Sequence, residues 1–142
     1  MDKLNHILLV SNDPIHTMFS QIILEDANAS DLITVCESAP EALEFLDNFR
    51  AGLGTPFPDL ILLDINLSGK EEFYFLEEYH MLNYHLTQPA IISIFATPNH
   101  IKQAEQACQY IAVAGFIPKP LSLTNLYKVL TVAFSYNLSK QF

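Results

Sequence analysis

Two side chains in this sequence could take part in phosphoryl chemistry. Asp64 directly follows four consecutive apolar residues, and Lys119 stands between Pro118 and Pro120. A carboxylate at the end of a strand can attack a phosphoryl group and form an aspartyl-phosphate. A nearby ammonium group would offset the charge of the transferred oxygens. Taken alone, Asp64 could equally cap the next loop, so the hypothesis depends on Lys119 lying close to it.

Polar residues also follow two other apolar runs. Ser11, Asn12 and Asp13 come after the first run, and Ala96 and Thr97 come at the end of the fourth. A hydroxyl can donate hydrogen bonds to phosphoryl oxygens. Mg²⁺ prefers one or two carboxylates together with phosphate oxygens and waters. Together with Asp64, these segments predict a site for phosphoryl transfer assisted by a divalent cation.

The elements that must position these residues are five apolar runs alternating with five amphipathic segments. Residues 60–63 are apolar at every position, which is typical of a central parallel strand covered on both faces. Ser38, Pro40 and Glu41 form a helix-start signal with a capping box. The predicted strands are residues 6–10, 32–36, 60–63, 89–95 and 115–117. The first predicted helix follows Pro14 and runs until residues 26–30, with Met18, Ile22 and Ile23 on one face. The second is opened by Ser38 and carries Ala42, Leu43, Phe45 and Leu46. The other predicted helices are about residues 71–82, 100–110 and 122–136.

This alternation predicts a doubly wound α/β fold with a five-stranded parallel sheet. In such folds the functional crevice lies beyond the carboxyl ends of the strands. The candidate residues should therefore meet at one edge of the sheet. We expect residues 1–142 to form a single domain with a core of about residues 4–136, and no output domain.

The composition disfavours some partners and sites. The formal net charge is −9, with seven Lys and Arg against sixteen Asp and Glu, whereas binding to nucleic acid needs basic residues. No apolar stretch reaches the roughly 18 residues that a membrane span needs. Cys36 and Cys108 form no CxxC pair, and the five histidines form no metal motif. We therefore expect a cytoplasmic protein that binds neither nucleic acid nor membrane.

Three segments carry a resemblance to a known family. Residues 8–14 (LLVSNDP), 58–69 (PDLILLDINLSG) and 115–121 (GFIPKPL) resemble the landmark segments of bacterial response-regulator receiver domains. The resemblance implies a flavodoxin-like (βα)5 fold and a role in two-component phosphorelay signalling. It implies Mg²⁺ as the cofactor. It also implies a sensor histidine kinase or phosphotransfer protein as phosphoryl donor, and an unknown downstream protein reached by direct contact.

The resemblance also implies roles for individual residues. Asp64 matches the phosphoacceptor and a metal ligand, and Asn66 matches the position whose backbone carbonyl binds the metal. Lys119 matches the charge partner of the acceptor, and Phe116 matches the switch aromatic. The switch hydroxyl falls on Thr97 or on the position held by Ala96, because the sequence does not define where the fourth strand ends. Ser93 is a third, weaker candidate, since it falls inside that strand.

The sequence departs from the family pattern at the acidic pair. Receiver domains usually place two acids after the first strand, and this chain has Ser11 and Asn12 there. Asn12 could offer a neutral carbonyl oxygen as a weak ligand, Ser11 could hold a water, and Asp13 could substitute as a ligand. Since two negative charges are missing, the pattern predicts weak Mg²⁺ binding and slow phosphorylation.

Three functions remain open. The first is a stand-alone receiver phosphorylated on Asp64, whose only catalytic activity would be its own phosphorylation and dephosphorylation. The second is a degenerate receiver that binds proteins independently of phosphorylation, favoured by Ser11, Asn12 and Ala96. The third is a phosphatase of the dehalogenase type, which is disfavoured because its second acid would fall on Asn66.

Overall fold

A computed structural model of the chain describes residues 3–49, 55–64, 71–82 and 90–139. These residues form one five-stranded sheet, in the order β2-β1-β3-β4-β5, with every pair of neighbouring strands parallel. The strands are β1 (Leu4–Val10), β2 (Ser30–Cys36), β3 (Leu60–Asp64), β4 (Ile91–Ala96) and β5 (Val113–Pro118). The α-helices are α1 (Pro14–Asp26), α2 (Ala39–Asp47), α3 (Glu71–Met81), α4 (Ile101–Ala107) and α5 (Leu123–Ser139). The predicted doubly wound fold is confirmed.

The core has two layers, one on each face of the sheet. Because successive side chains of a strand point to opposite faces, Leu8 and Val10 pack on one face while Ile7 and Leu9 pack on the other. Helices α2, α3 and α4 cover the first face, and α1 and α5 cover the second. Burial on both faces explains why residues 60–63 are apolar at every position.

Helix α1 turns a different face to the sheet from the one that its apolar residues indicate. Met18 and Ile22 are exposed, whereas His16, Ser20 and Leu24 are buried. These three residues follow one another at intervals of four, so they lie on one side of the helix. Met18 and Ile22 lie on one side of the helix, but that side is exposed, and of the three apolar residues only Ile23 packs against the core.

The predicted start of α2 is present, but the Glu41 carboxylate binds the backbone N–H of Glu37 and not that of the N-cap residue, Ser38. Ser38 Oγ accepts a hydrogen bond of 3.2 Å from the Glu41 backbone N–H, as an N-cap residue should. The Glu41 carboxylate reaches back to the backbone N–H of Glu37, at 2.9 Å. Both interactions satisfy donors near the start of the helix, which otherwise have no intrahelical partner.

The buried side chain of His6 joins three segments of the chain at the β1–β2 side of the sheet. Its Nδ1 lies 2.8 Å from the carbonyl oxygen of Pro56, and its Nε2 lies 2.8 Å from Thr34 Oγ1. Since a carbonyl only accepts, Nδ1 carries the proton and Nε2 accepts from the Thr34 hydroxyl. Burial lowers the pKa of His6, and this effect outweighs the hydrogen bond to Pro56 and the attraction of Asp59.

Candidate functional site

The carboxyl ends of β1, β3 and β5 bring together Ser11, Asp64 and Lys119. The Asp64 side chain is buried, and its Oδ2 atom accepts two hydrogen bonds from distant parts of the chain. Ser11 Oγ donates one at 2.9 Å, and Lys119 Nζ donates the other at 2.8 Å. A single carboxylate oxygen therefore receives one hydroxyl and one ammonium donor.

Strand register explains why Ser11 meets Asp64. Strands β1 and β3 are parallel neighbours, with Val10 paired to Leu63, so the next residue of each strand reaches the same level. By the alternation of side chains, Ser11 continues the face of Leu9, and Asp64 continues the face of Leu62. This face is the one that α1 and α5 cover.

Lys119 lies between two carboxylates. Its Nζ is 2.8 Å from Asp64 Oδ2 and 3.0 Å from Asp13 Oδ2, and its side chain is 11% exposed. The backbone N–H of Lys119 donates to the carbonyl of Ala96, which holds the loop after β5 against the end of β4. Partial burial acts to lower the pKa of Lys119, but the hydrogen bonds and attraction of Asp64 and Asp13 outweigh it and raise that pKa.

Asp13 performs two tasks at the start of α1. Its Oδ1 accepts a hydrogen bond of 3.1 Å from the His16 backbone N–H, so it is the N-cap of the helix. Its Oδ2 forms the ion pair with Lys119, and its backbone N–H donates to Ser11 Oγ at 3.2 Å. The bond from His16 N–H and then that from Lys119 lower the pKa of the Asp13 carboxyl.

His16 is a neighbour of the site that the sequence reasoning missed. Its ring is buried and meets the ring of Phe95 edge-on, with the centroids 4.6 Å apart. Burial lowers the pKa of His16, and the positive charge of Lys119 adds to this effect against the attraction of Asp64 and Asp13. The signal that could have identified it is the spacing of His16, Ser20 and Leu24 along one side of α1.

The fourth strand ends at Ala96, which settles the register that the sequence left open. Asp64 pairs with Phe95 across the sheet, and Ala96 follows on the face covered by α2, α3 and α4. Thr97 begins the turn that leads into a 3-10 helix, Pro98–His100. Its Oγ1 lies 2.8 Å from His100 Nδ1. The position at the end of β4 therefore carries a methyl group, and the hydroxyl of the next residue, Thr97, contacts His100.

Phe116 lies on β5, the strand at the edge of the sheet, opposite Ile94 of β4. Its side chain is 39% exposed. Leu123 and Tyr127, one helical turn apart on α5, are exposed as well. These aromatic and aliphatic side chains offer apolar contact area at the surface.

The donors available for a divalent cation are few within the described ranges. Asp64 and Asp13 are the acids at the site, Ser11 and Asn12 are neutral, and Lys119 contacts both carboxylates. No group of three or more His, Cys, Asp or Glu side chains that could hold a metal occurs among the residues that the structure describes. Asn66, whose backbone carbonyl was predicted as a ligand, lies outside these residues. The arrangement meets the minimum that Mg²⁺ accepts, one or two carboxylates with neutral oxygens.

Comparison with known proteins connects this fold to a structural class. No family model matches the sequence, and no curated protein matches it. Among solved structures, a response regulator receiver domain protein from Clostridium thermocellum has a TM-score of 0.74 at 15% identity, covering 94% of this chain and 97% of that one. A two-component response regulator from Cytophaga hutchinsonii has a TM-score of 0.72 at 20% identity, covering 92% and 98%.

A third similar structure has a different description. It is an adenylate cyclase from Rhodopirellula baltica, with a TM-score of 0.73 at 19% identity, covering 97% of this chain and 93% of that one. All three identities are low, so these likenesses establish the fold and leave the activity to the site. The chain has the fold of response-regulator receiver domains. No helix of the described residues is long and apolar enough to cross a membrane.

Proposed function

We propose that this protein is a receiver in two-component signalling that accepts a phosphoryl group on Asp64. The observation that carries the proposal is the pair of donors on one buried oxygen, Ser11 Oγ at 2.9 Å and Lys119 Nζ at 2.8 Å. A buried carboxylate held in one orientation is suited to in-line attack on a phosphoryl group, since positioning and charge compensation dominate this chemistry.

Lys119 is the charge partner in this proposal. Its ammonium group compensates Asp64 before phosphorylation and can follow the charge to the new phosphoryl oxygens afterwards. Ser11 orients the carboxylate by its hydrogen bond. Phosphorylation would add a charge of about −1.5 to −2 at Asp64. Lys119 and the neighbouring loops would then form different contacts, which would shift the equilibrium between two conformations of the protein.

Mg²⁺ would supply positive charge that neutralises the transferred oxygens. Asp64, the backbone carbonyl of Asn66 and the amide oxygen of Asn12 would hold it. The neutral Ser11 and Asn12 leave less negative charge than a pair of acids would, so we propose that binding is weak. Both oxygens of Asp13 are already engaged, one in the α1 cap and one with Lys119.

The exposed apolar stripe of α1 is the proposed docking surface for the phosphoryl donor. Ile15, Met18, Phe19 and Ile22 are exposed along one side of α1, whose first residues adjoin the site. α1 contains no Lys or Arg, and the chain carries a net charge of −9. A sensor histidine kinase or phosphotransfer protein with an apolar helical face and a basic rim would fit this surface and deliver its phosphohistidine to Asp64.

We propose that the output of the switch passes through the exposed side chains of Phe116, Leu123 and Tyr127, acting as one apolar surface. Phe116 is the switch aromatic in this proposal, and being phenylalanine it acts by ring packing alone. Thr97, whose Oγ1 lies 2.8 Å from His100 Nδ1, is the proposed switch hydroxyl, because Ala96 has none. The downstream partner would be a protein that binds this surface in one of the two states.

Degenerate receiver activity is the second candidate, supported by specific residues of the same site. Ser11 and Asn12 replace the acids, and Ala96, the last residue of β4, carries no hydroxyl. In this case the hydrogen bonds of Ser11 and Lys119 to Asp64 would hold one fixed conformation that binds a partner without phosphorylation.

Titration with beryllofluoride, which mimics an aspartyl-bound phosphoryl group, tests the proposal. With millimolar Mg²⁺, we expect amide NMR shifts at Ser11, Ala96 and Lys119 in the natural chain and none in Asp64→Asn. Asn is close in shape to Asp but cannot form the adduct, so it controls for nonspecific binding. Unchanged spectra for both chains, despite normal folding, would favour the degenerate receiver.

A further inference from the structure

We infer that Asp13 restrains Lys119 and thereby limits the rate at which Asp64 is phosphorylated. This inference rests on the proposed function of Asp64 as phosphoacceptor. It assigns to Asp13 an action on the lysine of the site, in place of the metal-ligand role that the sequence suggested for it.

The restraint is visible as a closed ring of interactions. Lys119 Nζ contacts Asp64 Oδ2 at 2.8 Å and Asp13 Oδ2 at 3.0 Å. The Asp13 backbone N–H donates to Ser11 Oγ at 3.2 Å, and Ser11 Oγ donates to Asp64 Oδ2 at 2.9 Å. Each of Asp13, Ser11 and Lys119 is thus fixed by two others, and the ammonium group is shared by two carboxylates.

Asp13 is anchored as well as charged. Its Oδ1 caps α1 through the backbone N–H of His16, at 3.1 Å. An N-cap contributes about 1 kcal/mol to helix stability, so turning Asp13 towards a metal would break the cap together with the ion pair. Its Oδ2 therefore stays beside Lys119, and the structure favours a partner of the lysine over a ligand of the cation.

The chemical step shows why a second carboxylate slows the reaction. With phosphoramidate as donor, an Asp64 oxygen forms the new O–P bond while the N–P bond breaks. The nitrogen of phosphoramidate is already protonated at neutral pH, so it leaves with the bonding electron pair as ammonia. Phosphorylation brings about −1.5 to −2 of charge to Asp64. Asp13 repels this charge and competes for the single positive charge of Lys119.

The test compares Asp13→Asn with Asp31→Asn. Asparagine can still cap α1 through its side-chain oxygen but cannot form the ion pair with Lys119. Asp31 pairs with Lys3 at 2.7 Å on the exposed surface, so Asp31→Asn makes the same change of charge away from the site. Each chain is incubated with phosphoramidate and a series of Mg²⁺ concentrations, and adduct formation is followed by intact mass.

We expect Asp13→Asn to be phosphorylated about threefold to tenfold faster than the natural chain, which corresponds to a moderately strong ion pair. Asp31→Asn should react at the natural rate. The Mg²⁺ concentration for half-maximal rate should be the same in all three chains. This last readout separates a partner of Lys119 from a metal ligand, because loss of a ligand would raise the Mg²⁺ requirement.

Slower reaction of Asp13→Asn, or a higher Mg²⁺ requirement, would overturn the inference and make Asp13 a metal ligand. Equal rates in the natural chain and Asp13→Asn would overturn it while leaving the proposed function intact. If both chains fold and neither reacts, the proposed function fails, and the restraint fails too because its removal has not released Asp64. Reaction of Asp13→Asn alone would support the restraint in its strongest form.

Discussion

The hydroxyl of Ser11 donates a hydrogen bond of 2.9 Å to Asp64 Oδ2, in a position where both side chains are buried. Residue 11 thus adds a neutral donor to the Asp64 carboxylate, at a position where the receiver pattern has an acid. The interaction orients Asp64, and a neutral residue 11 leaves less negative charge for the proposed Mg²⁺ than an acid would. We therefore expect a change at residue 11 to affect both the orientation of Asp64 and the proposed binding of Mg²⁺.

Replacing Ser11 with Asp should make stability depend on Mg²⁺. A second buried carboxylate beside Asp64 repels it, and we expect the free energy of unfolding to fall by about 2 kcal/mol without metal. Millimolar Mg²⁺ should restore most of this loss by binding the folded state. Thermal melts with and without Mg²⁺ measure both effects. Ser11→Ala is the control, because it loses about 1 kcal/mol of hydrogen bonding and should gain no response to Mg²⁺.

Replacing Lys119 with Met should destabilise the protein because it leaves the buried Asp64 without its cation. We expect the free energy of unfolding to fall by about 2 to 3 kcal/mol at neutral pH. Adding Asp64→Asn to this variant should recover much of the loss. Denaturant titration of the natural chain, the two single variants and the double variant gives a double-mutant cycle. Lys3→Met, which breaks an exposed pair with Asp31, should cost less than about 0.5 kcal/mol. Equal losses for the two lysines would contradict the account.

Acidification should destabilise the fold through His6 and His16. Burial lowers the pKa of both below the ordinary value of 6.5. As the pH falls through about 6.5, the unfolded chain takes up these protons first, so the free energy of unfolding decreases. The decrease ends once the pH passes the folded pKa, and each unit between the two values contributes about 1.4 kcal/mol.

His6→Gln tests this pH dependence. The variant should be less stable at pH 7.5, since glutamine does not reproduce both bonds to Pro56 and Thr34, but its stability should change less between pH 7.5 and 5.5. Denaturant titrations at several pH values give the slope. An unchanged slope in both His6→Gln and His16→Leu would show that other groups produce the pH dependence.

Polar substitutions on the stripe of α1 should separate donor docking from chemistry. Ile15→Ser and Ile22→Ser change exposed side chains, so stability should vary by no more than about 0.5 kcal/mol. Phosphorylation by phosphoramidate should be unchanged, while transfer from a panel of phosphorylated histidine kinases and phosphotransfer proteins should slow about tenfold. Ile111→Ser, at a position 84% exposed and away from α1, is the matched control. If Ile111→Ser slowed phosphoryl transfer from these donors as well, α1 could not be assigned as the docking surface.

The fold was predictable because its signals are local. The run of apolar residues 60–63, the cap at Ser38 and the alternation of strands with helices each follow from short-range chemistry. The buried face of α1 was not predictable from hydrophobicity, because His16 and Ser20 face the sheet while Met18 and Ile22 face solvent. The spacing of apolar residues indicates which side of a helix is apolar, but tertiary packing decides which side is covered by the sheet.

The site was predictable in its position and less so in its contacts. Parallel strands must bring Ser11, Asp64 and the residues after β5 to one edge. The ion pair of Asp13 with Lys119 depends on side-chain directions in two loops more than a hundred residues apart, which no local pattern encodes. The end of β4 at Ala96 also needed the register, because apolar residues precede it and give no boundary signal.

The most direct test of the central claim is an intact mass spectrum of the protein after incubation with phosphoramidate and millimolar Mg²⁺. The account predicts a single phosphoryl adduct in the natural chain, absent from Asp64→Asn, and stable to brief exposure at neutral pH but lost in alkali. An adduct that persists in Asp64→Asn, or no adduct from phosphoramidate or from any phosphorylated histidine protein, would contradict it.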